Sequence, residues 1–284
     1  MSSVARKIPW PIIGALFVLS LGLLLYPMLG NQVSEYLNAR AVRDYEQAVE
    51  DSPDQKTEAA LLAAMEYNAR HRVNVAVDPF GGTSPSTVDE EYEKLLSTTP
   101  DGVMSALDIP KIRQSLAVYH GISSDALEKG VGHIQGTSLP VGGLGTHCVL
   151  AGHRGLAAAL ILTDLDQMQV GDQFYLHTLG QHLAYEVEDV SVVKPEELSV
   201  VAIRAGQDLA SLVTCTPYGV NTHRLVVRGH RVPYVPYNSV SLAQALSVFS
   251  PMALAAIVAA ACTLVTIVIV WLRRRRIKMG KEES

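Results

Sequence analysis

Three side chains in this chain have the types and positions that acyl transfer through a thioester requires. In SLVTCTPYGVNTHRL, Ser211 to Leu225, an apolar β-type run ends on Cys215, and Arg224 follows nine residues later beyond a turn-rich loop. Upstream, in CVLAGHRG, His153 also follows an apolar run, just ahead of a Gly-bounded turn. A thiolate at such a strand end attacks a carbonyl, and a fixed cation stabilises the oxyanion that forms. A free thiol is mostly protonated at neutral pH, so it needs a base; His153 takes the proton and later delivers it to the leaving amine. Arg224 stays charged throughout and can hold the carbonyl oxygen or the substrate backbone. His133, in GVGHIQG, is a further groove candidate. In HRLVVRGHR the strand period of two turns His223 away from the face that Arg224 presents. A zinc site from His147, Cys148 and His153 has a spacing that matches no familiar ligand pattern, and no metal or cofactor is expected.

The elements that must carry these residues read as β structure. From Val103 onward come MSALDIP, SLAVYHG, THCVLAGH, QFYLHT, AYEVEDVSVV, DLASLVTC and HRLVVRGHRVPY, short runs separated by Gly, Pro and Asp. This pattern predicts a compact, mainly β barrel or sandwich over residues 103–237. Short helices are expected at Ser124 to Lys129 and Ala157 to Leu165. Ahead of the β region, Val33, Leu37, Ala41 and Tyr45 recur near the helix period, and Ser52-Pro53 separates that helix from a second one, Asp54 to His71. Between helices and strands lies a loop containing DPFGGTSP, in which Gly and Pro exclude a regular element. Phe80 is the odd residue there: it either pins the loop to the surface or plugs a groove.

Hydropathy adds two flanking segments. Trp10 to Leu29 is uncharged and long enough to cross a bilayer, and Met252 to Leu272 is a second such run. Arg6 and Lys7 precede the first, while Arg273, Arg274, Arg275, Arg276, Lys278 and Lys281 follow the second. The positive-inside rule puts both ends in the cytoplasm and the middle outside. The first run reads as a retained anchor, because it exceeds a typical signal-peptide core and no A-x-A site ends it cleanly. The chain carries 23 basic and 28 acidic side chains; setting aside those eight basic residues with Glu282 and Glu283 leaves 15 against 26, near −11 outside. That balance disfavours nucleic acid as a partner. Three cysteines do not make a disulfide scaffold. Cys262 falls in the second apolar run, Cys148 reads as a small buried hydrophobe, and a Cys148–Cys215 bridge would consume the proposed nucleophile.

At these residues the chain resembles the sortases. SLVTCTPYGVNTHRL is similar to their TLxTC-to-Arg signature, with Ser211 where Thr is usual, and LAGHRG to their histidine motif. GVGHIQGTSLPVGGLGTH and LTDLDQMQVGDQFYL also read as sortase segments, so the resemblance spans roughly Val103 to Pro236. Asp78-Pro79-Phe80 resembles the lid motif of class C, pilin-polymerising sortases, as does a membrane span after the barrel. The resemblance implies an eight-stranded sortase-type β-barrel with N-terminal helices, a lid loop and two flanking transmembrane helices. The resulting layout is a cytoplasmic N-terminus at 1–9, a membrane span at 10–29, an external helical segment at 30–73, a lid at 74–88, the catalytic barrel at 103–237, a second span at 251–272 and a basic cytoplasmic tail at 273–284.

The same resemblance implies catalysis by Cys215, His153 and Arg224, with Asp78 paired to Arg224 and Phe80 over Cys215. Ser211 and Thr214, beside the nucleophile, would help line the substrate groove together with His133. The implied reaction cleaves an LPxTG-like sorting signal between Thr and Gly and passes the acyl group to a lysine of the next pilin subunit. The partners are therefore pilins and the membrane bilayer. Competing readings are a sortase that attaches proteins to a peptidoglycan precursor, a hydrolytic cysteine protease and a non-catalytic assembly scaffold.

Overall fold

The computed structural model describes residues 10–71, 78–81, 89–156, 159–237, 259 and 263. Its centre is a closed barrel in the order β1-β2-β3-β4-β7-β8-β6-β5. The strands are β1 (Val103–Ile109), β2 (Gln114–His120), β3 (Val131–His133), β4 (Thr146–Ala151), β5 (Gln173–Thr178), β6 (Gln181–Val193), β7 (Asp208–Thr216) and β8 (His223–Val232). Leu107, Leu116, Leu150, Phe174, Leu176, Ala210, Leu212 and Val227 fill the interior. A side chain of Leu or Phe size contributes about 1.5–3 kcal/mol when it is fully buried, so this interior supplies most of the barrel's cohesion.

Three strands set up the site. β4 and β7 run parallel with Ala151 opposite Val213, and β7 and β8 run antiparallel with Cys215 opposite Arg224. The end of β4, the end of β7 and the start of β8 therefore lie together. The strand period then sorts side chains between two faces. Cys148, Leu150, Ala210, Leu212, Leu225 and Val227 point into the barrel, whereas Val149, Ala151, Val213 and Val226 form a separate apolar cluster on its outer face.

Helices cover the flanks. α1 (Trp10–Glu50) runs unbroken from the apolar N-terminal run into the predicted external helical segment, with Pro27 inside it. The segment Gly14–Glu50 is long and apolar enough to cross a membrane by length and composition. The second apolar run, 251–272, lies outside the described residues apart from 259 and 263. Tyr45 fastens α1 to the barrel: its hydroxyl donates to the Met104 carbonyl at 3.2 Å and accepts from the Leu179 amide at 2.9 Å. Asn38 adds an acceptor for the Ala117 amide.

α2 (Asp54–Arg70) docks through Asn68, which exchanges both amide hydrogen bonds with the backbone of Leu139. α3 (Glu90–Lys94) is capped by Asp89, whose carboxylate also accepts from Tyr67 on α2 at 2.9 Å. Arg70 pairs with Glu91 across the same gap. The two stems of the 74–88 segment are thereby tied together; within it only residues 78–81 are described.

α4 (Ser124–Lys129) forms where expected, capped by Ser123. The helix expected over Ala157 to Leu165 falls partly outside the described residues, and the described part, 159–164, is not helical. Leu156 instead bridges to Ala159, and a 3-10 turn follows at Leu165–Gln167. Burial of Ile161, Leu162 and Leu165 in the interior cluster outweighs the helical preference of that Ala- and Leu-rich run. Beyond β8, Tyr237 hydrogen-bonds to Asp108 and to His177, and its ring stacks on Tyr175 with centroids 3.8 Å apart.

Candidate active site

Cys215, His153 and Arg224 open into one cleft of about 420 Å³, lined also by Pro79, Phe80, Ile122, Leu127 and Asn221. Cys215 occupies the outward row of β7 that Ser211 and Val213 begin, and Arg224 is its ladder partner on β8. His153 arrives by continuing β4 for two residues. The Gly152 amide donates to the Val213 carbonyl at 3.1 Å, which holds this extension against β7. The turn after His153 needs Gly155, whose φ is +88°, in the left-handed region that side chains disfavour; a Cβ there would also meet the Tyr218 ring at 3.2 Å.

Arg224 is almost fully engaged. Nε and Nη2 donate to the two carboxylate oxygens of Asp78 at 2.6 and 2.7 Å, and Nη1 donates to the Asn221 and His223 carbonyls, both at 3.0 Å. Four of its five N–H groups are thus taken. The Phe80 ring sits 5.6 Å from the His153 ring and 5.2 Å from the guanidinium carbon of Arg224. Pro79 and Phe80 thereby line one side of the cleft, and Asp78 caps its cation.

Electrostatics follow from this closure. Burial pushes the Cys215 thiol up, Arg224 pulls it down in part, and the Asp78 carboxylate pushes it up again. Burial lowers the His153 imidazole, with Glu128 opposing. Both shifts favour the neutral thiol and neutral imidazole, a resting pair. Cys148 lies on the opposite side of the strand wall from Cys215; both thiols are free.

The three groove residues named from the sequence sit elsewhere. Thr214 alternates with Cys215, faces inward, is fully buried and donates to the Gly152 carbonyl at 2.8 Å. Its hydroxyl steadies the backbone before His153. His133 pairs with Leu150 and so also faces inward; its ring bonds to Tyr92 Oη and to the Ser138 carbonyl, both at 2.9 Å. Burial brings its pKa down to about 4. Ser211 is on the outer face but fully buried, with its hydroxyl on His147 Nε2 at 2.8 Å.

Other residues at the site escaped the sequence reading. Arg154 bonds the Thr163 carbonyl and Thr216 Oγ1 and pairs with Asp166, tying the residue after His153 to the residue after Cys215. Asn221, at φ +62°, supplies a carbonyl to Arg224. Its position in GVNT was a usable signal, since Asn tolerates the left-handed region.

The family model described as Sortase domain matches residues 107–232. A sortase C from Streptococcus pneumoniae, described in connection with pilin substrate specificity, is 39% identical; the match covers 70% of this chain and 100% of that one, with a TM-score of 0.63. Sortase C-1 from Actinomyces oris is 45% identical over 63% of this chain and 99% of its own, with a TM-score of 0.60. Sortase D of Bacillus subtilis is 27% identical over 154 residues, 53% of this chain and 75% of that protein.

Proposed function

This chain belongs to the sortase family of cysteine transpeptidases, in its class C branch, and on that premise we propose that it polymerises pilins by cleaving an LPxTG-like sorting signal and forming lysine isopeptide bonds. Cys215 is the nucleophile. Its thiol proton passes to His153 as Sγ bonds to the threonine carbonyl carbon of the signal. Arg224 stabilises the resulting oxyanion. His153 then returns the proton to the glycine nitrogen as the Thr–Gly bond breaks, leaving a thioester on Cys215. A lysine amine of the next subunit attacks that carbonyl and gives its proton to His153. The thiolate departs, is reprotonated, and an isopeptide bond remains.

One observation carries this reading: thiol, imidazole and guanidinium share a cleft, and Pro79 and Phe80 line that same cleft while Asp78 holds Arg224. A carboxylate on Arg224 and a ring against His153 occupy the places a peptide would need. The segment then acts as a lid, and only a ligand that binds the open form more tightly shifts it. The chain's second apolar run and the basic residues around both runs support an anchor with two spans, both termini cytoplasmic and the barrel outside.

The test is incubation of the protein with a pilin subunit that carries both an LPxTG-like signal and an acceptor lysine, with mass spectrometry of the products. A lysine–threonine cross-link lost on Cys215→Ala supports the reading. A released free acid, or attachment only to a peptidoglycan-precursor amine, overturns it.

A further inference from the structure

The outward face that carries the catalytic residues continues down the same three strands. Below Cys215, β7 presents Val213 and then Ser211; below Arg224, β8 presents Val226 and then Arg228. Below His153, β4 presents Ala151, Val149 and His147. Ser211 lies four residues from Cys215, about 13 Å along the strand. This lower row is covered by the connection between β6 and β7, residues 194–207. Val201 is buried in the outer apolar cluster, and both Val200 and Phe80 pack against that cluster. Glu196 acts on Arg224 through space. The connection therefore walls in the outer apolar cluster against which Phe80 also packs, alongside the cleft rather than in its lining.

We infer that His147, oriented by Ser211, and Arg228 are positioning residues that fasten this wall, and with it the apolar support on which Phe80 rests at the cleft that accepts the peptide. The hydrogen bonds define the imidazole's state. Ala202 offers only a carbonyl oxygen, so Nδ1, 3.0 Å away, carries the hydrogen and donates. Nε2 then accepts from Ser211 Oγ at 2.8 Å. The His147 amide is itself held by Ser138 Oγ at 3.0 Å, which fixes the backbone beneath the ring. Burial keeps the imidazole neutral, with its pKa near 4, and so preserves this relay. Arg228 adds a second tie, donating from Nη1 to the Val200 carbonyl at 3.1 Å while Nε holds Glu188 at 2.7 Å. Two barrel strands thus each grip one carbonyl of a connection that has little regular structure of its own, a short 3-10 turn at Leu198–Val201. Ser211, the departure from the usual signature, is the relay's first donor.

The inference rests on the peptide-transfer reading for its kinetic arm only. The full-length protein in detergent is compared as His147→Asn, His147→Gln and Ser211→Ala, each in an Asp78→Ala background so that the lid does not limit access. Asn places its amide N–H where Nδ1 was; Gln reaches only the Nε2 position. Amide hydrogen exchange across 194–207 is expected to rise in His147→Gln and Ser211→Ala and to stay near the parent in His147→Asn. With a fluorogenic LPxTG peptide, KM should rise roughly fivefold in His147→Gln, the equilibrium effect of one neutral hydrogen bond, with kcat within about twofold. Equal exchange protection in the Asn and Gln variants, or a fall in kcat at constant KM, overturns the assignment. Ser211→Ala removes a single oxygen and tests the relay even where the His147 variants fail to fold. No cleavage by the Asp78→Ala parent itself counts against the peptide-transfer reading, while the exchange data still decide whether His147 fastens the wall.

Discussion

Asp78 and Arg224 meet as a two-pronged ion pair, at 2.6 and 2.7 Å, directly beside the ladder position of Cys215. The guanidinium that would serve the reacting carbonyl is therefore already committed in the closed state. On the proposed mechanism, activity requires that this pair separate.

Asp78→Ala should expose the thiol. Hydrogen bonds to charged groups contribute about 1.5–3 kcal/mol, so losing them should raise the open population roughly ten- to hundredfold. The measurement is the rate of Cys215 alkylation by a bulky maleimide, with Phe80→Ala as a companion. An unchanged rate in both variants removes the lid from the account.

Asp78→Asn should lower the pH at which Cys215 reacts. The carboxylate raises the thiol pKa and Arg224 lowers it, so removing the negative charge leaves the cation unopposed. The expected result is a pH profile for labelling by a small alkylating reagent displaced toward acid. A displacement toward alkali would contradict the electrostatic assignment.

Arg224→Lys should slow the chemical step more than it weakens binding. Lysine keeps the charge but loses the planar fork, so kcat should fall by about 10²–10³, as for loss of an oxyanion donor. Turnover of a sorting peptide, compared with its KM, distinguishes this from simple loss of affinity.

Acid should destabilise the barrel in a defined window. His133 and His147 both have folded-state pKa values near 4, below the ordinary 6.5, because burial disfavours their charged forms. The unfolded chain binds protons on these rings between those values and the folded protein does not. Stability is therefore complete above pH 6.5 and declines as pH falls toward 4, by on the order of 3 kcal/mol per histidine. Denaturant midpoints across that range test it, and His133→Asn should flatten the slope.

Much of the site was legible because strand ends are marked locally. An apolar run stopping at Cys215 and another stopping before His153 indicate where the side chains emerge. That all three groups share one end depended on β4 and β7 being parallel neighbours, which no local pattern encodes. The period of two, applied to His223 and Arg224, also separates Thr214 from Cys215 and would have turned Thr214 inward. His133 is a groove candidate by its motif, yet strand pairing with Leu150 carries it into the interior. The 10–29 and 30–73 segments looked separable because hydropathy changes at Leu29. The backbone nevertheless stays helical from Trp10 to Glu50, through Pro27 and Gly30. The wall at 194–207 was silent in the sequence because its ties come from His147 and Arg228, distant along the chain.

The bond pair on the Tyr45 hydroxyl has a mechanical consequence. Because α1 is one helix and is clamped to the barrel at Tyr45, an anchor formed by its apolar start, as proposed above, would not let the body of the enzyme swivel freely on a slack tether. Sixteen residues separate Leu29 from Tyr45, about 24 Å of helix. The mouth of the cleft would then ride at a constant altitude and heading above the lipid, so that anything sharing that surface meets it by lateral diffusion in a plane.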